Sequence, residues 1–211
     1  MRQLALVVTL GAGLAFAAGQ AMTGAQTKTI SPTFKSQGVN ADDKAAMIKS
    51  ALAAAPADIA KDATVVNAKA DGTMETLREG HNGFTCLPDN PNTPGKDPMC
   101  MDANALKWAH DWMSHAPKPT NVQPGVMYML QGGSDISATD PWATKTDTFI
   151  ESPPHWMITW AFDPNVSGLP TTPSKTGTWI MWPGTPYAHL MINQNPKPAA
   201  AKPAVAKDKP F

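Results

Sequence analysis

Residues 178–192 read TWIMWPGTPYAHLMI and contain two short apolar runs separated by a turn. The runs Thr178–Trp182 and Ala188–Ile192 are rich in aromatic and aliphatic residues, a composition that favours strands. Pro183 and Gly184 between them form a dipeptide typical of turns. This stretch therefore predicts two strands, and it sets the expectation that the second half of the chain builds a sheet.

Two more strands are predicted upstream of this stretch, at Val126–Gln131 and Trp156–Phe162. In the first half of the chain, Val65 and Val66 begin a strand. The turn signal Asp71-Gly72 then allows Thr73–Leu77 to return as its hairpin partner.

Two segments have the apolar spacing of amphipathic helices. One is predicted to begin near Asn40, a favourable N-cap, with a further short turn of helix over Pro56–Lys61. The other is predicted over Ala103–His115 with Asp102 as its N-cap. The order of helices and strands predicts the α+β class, namely a mainly antiparallel sheet with two main helices, long Pro-rich loops and one disulfide.

The disulfide is predicted from the two cysteines of the chain, Cys86 and Cys100. An even number of cysteines at close spacing in an exported protein favours a bridge over a metal site. The segment Leu87–Met99 between them holds four prolines, so it is expected to be an irregular loop rather than a helix or a central strand.

Residues 1–21 are typical of a secretory signal peptide. Arg2 precedes the apolar run Leu4–Ala18, which is shorter than the roughly 20 residues of a membrane span. Small residues offer cleavage sites between Ala17 and Ala25. We therefore expect a soluble periplasmic or secreted protein without an integral membrane segment after signal removal.

The remaining chain divides by composition into three parts. Residues 22–39 are polar and are expected to be flexible, residues 40–194 form a single globular domain, and residues 195–211 form a disordered Pro/Ala/Lys tail. Residues 27–194 carry 12 Lys and Arg against 16 Asp and Glu. A mildly acidic body without a concentrated basic face argues against nucleic acid as a partner.

Histidine and methionine recur two residues apart in the predicted strands, at His155-x-Met157 and His189-x-Met191. Residues two apart on a strand point to one face, so two neighbouring strands would bring imidazoles and thioethers together. These groups suit copper, especially the reduced ion. The sequence predicts a copper site at these four residues, with His81 and Met129 as further ligands, and the alternative is that the methionines only fill the core.

Two other functions remain open. In a small secreted enzyme of hydrolase type, His155 or His189 would act as a general base oriented by an acid such as Asp135. In a non-catalytic envelope binding or structural module, Trp156 and Trp160 would share an aromatic face with Ile158, which either binds a small ligand or packs into the core. The sequence alone does not identify the ligand, the partners or the oligomeric state.

Overall fold

The computed structural model describes residues 41–69, 72–146 and 148–194. The signal peptide, the segment 22–39, the Asn40 N-cap and the tail 195–211 that the sequence predicts lie outside these residues.

Four helices are described, and each predicted helix is among them. They are α1 (Ala41–Leu52), α2 (Ala57–Ala60), α3 (Ala103–Met113) and α4 (Pro164–Ser167). The Asp102 cap of α3 is confirmed, because Asp102 Oδ1 accepts a hydrogen bond of 2.8 Å from the Ala105 amide. The other oxygen, Oδ2, accepts a hydrogen bond of 2.9 Å from the Val126 amide. One carboxylate therefore both starts α3 and joins it to the strand that follows.

Ten strands make two sheets. They are β1 (Thr64–Ala68), β2 (Met74–Arg78), β3 (Thr85–Leu87), β4 (Met99–Met101), β5 (Gly125–Met129), β6 (Gly133–Asp135), β7 (Ile150–Ser152), β8 (His155–Thr159), β9 (Thr178–Met181) and β10 (His189–Asn193). Eight of them form one sheet in the order β2-β1-β3-β4-β5-β8-β10-β9, and β6 pairs with β7 as a separate ribbon. In the large sheet only β1 and β3 are parallel. The predicted α+β class with a mainly antiparallel sheet is confirmed.

The disulfide lies inside the sheet. Cys86 on β3 pairs directly with Cys100 on β4, and their sulfurs are bonded. The predicted bridge is confirmed, but the prediction that Leu87–Met99 is wholly irregular is wrong at its two ends, which belong to β3 and β4. A three-residue strand next to a proline is too short to show an alternation of apolar and polar residues, so the sequence does not reveal it. Pairing with neighbouring strands holds these residues in the extended conformation instead.

Helices cover the two faces of the large sheet. Cys100 packs with residues of α1, whereas its neighbour Met101 packs with Trp108 of α3. Successive strand residues point to opposite faces, so α1 and α3 lie on opposite sides of the sheet. The sheet face that α3 covers carries the four predicted ligands His155, Met157, His189 and Met191.

Candidate metal centre

The two His-x-Met pairs lie on neighbouring strands and on one buried face. His155 and Met157 are buried on β8, and His189 and Met191 are buried on β10. Strands β8 and β10 are antiparallel neighbours. The structure therefore brings these four predicted ligands to the same layer of the core, below α3.

Methionines from four adjacent strands form a continuous row across this layer. Met101 pairs with Met127, Met127 with Met157, and Met157 with Met191. Trp179 of β9 pairs with Met191 and ends the row. All are buried.

The two histidines lie in different rows, on opposite sides of the methionine row. His155 is in register with Met129 on β5 and with Asn193 on β10. His189 is in register with Met181 of β9. Met129 is therefore the predicted ligand in register with His155, whereas His189 lies two rows away.

Both imidazoles are oriented by the same local arrangement. Each histidine is the first residue of its strand, and its Nδ1 bonds to the carbonyl oxygen two residues earlier. The His155 Nδ1 to Pro153 O distance is 2.7 Å, and the His189 Nδ1 to Tyr187 O distance is 3.0 Å. A carbonyl can only accept, so Nδ1 carries the hydrogen and Nε2 keeps its lone pair. Metal-binding histidines commonly show this arrangement.

Three side chains from three different elements converge beside Gly133. A Cβ placed on Gly133 would lie 3.0 Å from Met129 Cε, 3.4 Å from Asp97 Oδ1 and 3.5 Å from His155 Cε1. The imidazole, the thioether methyl and the carboxylate therefore meet around one point. Residue 133 has no side chain, so nothing from this residue separates the three groups.

Asp97 was not a candidate from the sequence, because it lies in the Pro-rich segment that the disulfide encloses. Its carboxylate accepts hydrogen bonds from Thr93 Oγ1 and from the Ser134 amide, the latter at 2.5 Å. These bonds hold the loop against β6. Burial nevertheless raises the pKa of Asp97, and the nearby charge of Asp89 adds to the effect.

Asp135, which the sequence proposed as an orienting acid, lies on β6 and does not bond to an imidazole among the hydrogen bonds of the described residues. Burial and the charge of Asp97 raise the pKa of Asp135 to about 7. Neither Asp97 nor Asp135 has a Lys or Arg ion-pair partner in the described part of the chain. The region around Gly133 therefore holds two carboxyl groups without a compensating cation.

His189 has an aromatic environment instead. Its ring centroid lies 5.1 Å from that of Trp108 and 4.9 Å from that of Trp182, with both contacts edge-on. Burial lowers the pKa of His189 to about 4, despite the hydrogen bond to Tyr187 O. His189 is therefore a neutral, tightly packed ring at physiological pH.

His81 does not join the other candidates. It lies in the exposed connection between β2 and β3, where its amide donates to Asp62 O at 2.9 Å. Asp62 precedes β1, and strands β3, β4 and β5 lie between β1 and β8. The structure therefore places His81 apart from His155 and Met129, and nothing in the sequence indicated how far apart these strands lie.

The aromatic face of β8 is not the core face. Trp156 and Ile158 are half-buried and Trp160 is exposed, whereas His155 and Met157 are buried. The polar histidine points inward because the carbonyl of Pro153 satisfies its Nδ1–H. Hydrophobicity alone suggests the opposite orientation for this strand.

A site made only of His, Cys, Asp and Glu is not present in residues 41–69, 72–146 and 148–194, since no three of these side chains are close enough to hold a metal ion. A metal ion at Gly133 would therefore need a thioether ligand, which Met129 provides.

No known protein family, curated protein or solved structure matches the chain. No helix among the described residues is long and apolar enough to cross a membrane. The disulfide is compatible with an exported protein. The indication of function that remains is the geometry and chemistry of the side chains around Gly133.

Replacing Asp135 by asparagine is expected to stabilise the fold at pH 8 by about 1 to 2 kcal/mol. The raised pKa means that the native state binds a proton as the pH falls through about 7, so the charged form is the costly one. The advantage of Asp135→Asn should therefore disappear towards pH 5. Urea unfolding at both pH values measures it, and an equal advantage at both would contradict the assignment.

Proposed function

We propose that this protein binds a copper ion, in its reduced Cu(I) state, at His155 and Met129, with Asp97 beside the ion. The observation that carries the proposal is the convergence of these three side chains beside Gly133. We place this activity in the periplasm or outside the cell.

The donor types fit Cu(I). Imidazole nitrogen and thioether sulfur are ligands that the reduced ion accepts, and it is the soft partner that thioethers select. The hydrogen bond from His155 Nδ1 to Pro153 O directs the lone pair to Nε2 before any ion arrives. A neutral imidazole is available, since burial lowers the pKa of His155.

The charge balance also favours a cation. Bringing a positive charge into a buried site is costly unless an opposite charge lies nearby. Asp97 is buried, lies beside Gly133, and has no basic partner among the described side chains. A bound cation would stabilise the ionised forms of both Asp97 and Asp135, whose pKa values are raised without it.

The methionine row supplies further thioethers. Met157 follows His155 by two residues on the same face of β8, and Met191 is its register partner on β10. They are candidates for an additional ligand. His189 lies beyond this row against two tryptophans, so in this proposal it supports the core rather than the ion.

A competition titration tests the proposal directly. Cu(I) would be added anaerobically with ascorbate, which leaves the disulfide intact, in the presence of a chromophoric Cu(I) chelator. We expect one ion per chain, with affinity reduced about a hundredfold by His155→Ala and about tenfold by Met129→Leu. Met101→Leu, at the far end of the methionine row, is the matched control and should bind as the unaltered protein does. Equal affinities in all four proteins would reject the site and favour a non-catalytic envelope module.

Gly133→Ala is expected to block the ion while leaving the fold nearly intact. The added methyl group would be inserted between the three side chains, and its nearest neighbour is the flexible end of Met129 at 3.0 Å. We expect Cu(I) affinity to fall at least about tenfold and stability to change by less than about 1 kcal/mol. Unchanged affinity with a native circular dichroism spectrum would count against the location of the site.

A further inference from the structure

A second site is indicated at strand β7 of the β6–β7 ribbon. A cavity of about 390 Å³ lies between β7 and the loop that precedes β9. Its apolar lining comes from Phe149, Ile150 and Trp179. This volume is in the range of pockets that enclose small organic ligands.

Among the described residues, the charged side chains of this cavity are one acid and one base. Glu151 and Lys175 line it, and both are exposed. Neither forms an ion pair with another residue of the described ranges. The cavity thus offers one anionic and one cationic contact beside an aromatic and aliphatic surface.

Two buried polar atoms in this neighbourhood have no hydrogen-bond partner among the described residues. One is Nε1 of Trp179, a residue that is 1% exposed and lines the cavity. The other is Oδ1 of Asn193, which is 6% exposed and whose Nδ2 donates to Ser174 O in the cavity wall at 2.5 Å. Both atoms are shielded from solvent, so contacts to a ligand in the cavity must come from the more exposed side chains of its lining.

We propose that this cavity binds a free α-amino acid with an apolar side chain. The ligand carboxylate would pair with Lys175, its ammonium with Glu151, and its side chain would pack on Phe149 and Ile150. An amino acid carries both charges and an apolar group in one small molecule, as this lining requires.

The amino-acid site is independent of the copper proposal. Ser152 lines the cavity and is the register partner of Gly133 across the ribbon, so the two sites are close but use different side chains. Loss of Cu(I) binding in His155→Ala would leave the amino-acid site in place.

Calorimetric titration with L-phenylalanine and L-leucine, without copper, tests the proposal on the full chain. 3-Phenylpropionate and phenethylamine each lack one charge, and N-acetylphenylalaninamide lacks both. We expect each of the three to bind about fivefold or more weakly than L-phenylalanine. Lys175→Ala and Glu151→Gln should each weaken L-phenylalanine about fivefold, and Lys118→Ala, an exposed lysine elsewhere, should not.

Trp179→Phe removes the buried N–H and keeps an aromatic ring, and it should leave binding nearly unchanged because that N–H is shielded from the cavity. Because Trp179 is fully buried, that variant is judged only if its circular dichroism spectrum is native. The exposed variants Lys175→Ala and Glu151→Gln carry the test in any case. Three outcomes would overturn the proposal: no heat with either amino acid, equal binding of the uncharged analogue, or affinities that these two substitutions leave unchanged.

Discussion

Gly125→Ala is expected to destabilise the protein by about 3 kcal/mol or more, a large fraction of the free energy of unfolding of a typical domain. Gly125 is the first residue of β5 and is buried where α3 crosses the sheet. A Cβ at this position would overlap the Ala105 amide nitrogen and would lie 2.6 Å from both Ala105 Cα and Thr159 Oγ1. Real Cβ atoms essentially never approach other atoms so closely.

The clash at Gly125 is mainly with backbone, which makes it hard to relieve. The Ala105 amide is held by its hydrogen bond to Asp102 Oδ1 at the start of α3. The same aspartate bonds to the Val126 amide on β5, so helix and strand cannot separate without losing both bonds. An added methyl group must therefore displace α3 or break its N-cap.

Urea unfolding followed by circular dichroism measures the effect of Gly125→Ala, and a second substitution distinguishes its cause. Thr159→Ala removes the only side-chain atom in the clash, and the Thr159 hydroxyl has no hydrogen-bond partner in the described structure. That change alone should be nearly neutral, and it should not rescue Gly125→Ala. Full rescue, or a loss below about 1 kcal/mol for Gly125→Ala alone, would contradict the backbone clash.

Sequence patterns predicted most of the elements that build the site. The alternation of His155 and Met157 on a strand placed both on one face, and the same reasoning held for His189 and Met191. Asp102 could be predicted as an N-cap because the short aspartate side chain, placed just before an amphipathic segment, accepts a hydrogen bond from the first turn of the helix. Periodicity and capping are local, so they can be read from one segment alone.

Contacts between segments that are distant in sequence cannot be predicted from local patterns. Asp97 reaches the site because the disulfide and the β3–β4 pairing fold its loop back towards β6. The Gly-Gly-Ser-Asp stretch at residues 132–135 was indistinguishable from an ordinary turn, and only its pairing with β7 makes it a strand. The order of strands, which separates His81 from the site, is set by tertiary packing and leaves no trace in local composition.

The second large effect expected is a pH-dependent contribution from His189. Burial between Trp108 and Trp182 lowers the pKa of His189 to about 4 in the native state, compared with 6.5 for a histidine exposed to water. Above pH 6.5 the ring is neutral in both states and contributes no pH dependence. As the pH falls below 6.5, the unfolded chain binds a proton that the native state excludes, so stability falls by about 3 kcal/mol as the pH reaches 4.

Other buried groups titrate in the same range, so the prediction applies to a difference between two proteins. The pKa values of Asp97 and Asp135 are raised, so these groups make the fold more stable as the pH falls. The pKa of His155 is lowered, so His155, like His189, makes the fold less stable as the pH falls. His189→Gln replaces the imidazole by an amide that stays neutral and can still donate to Tyr187 O. The stability of the unaltered protein minus that of His189→Gln should fall by about 3 kcal/mol between pH 7 and pH 4 in urea titrations. A difference that stays constant over this range would show that His189 accepts a proton in the native core, and the aromatic enclosure would then not exclude the charge.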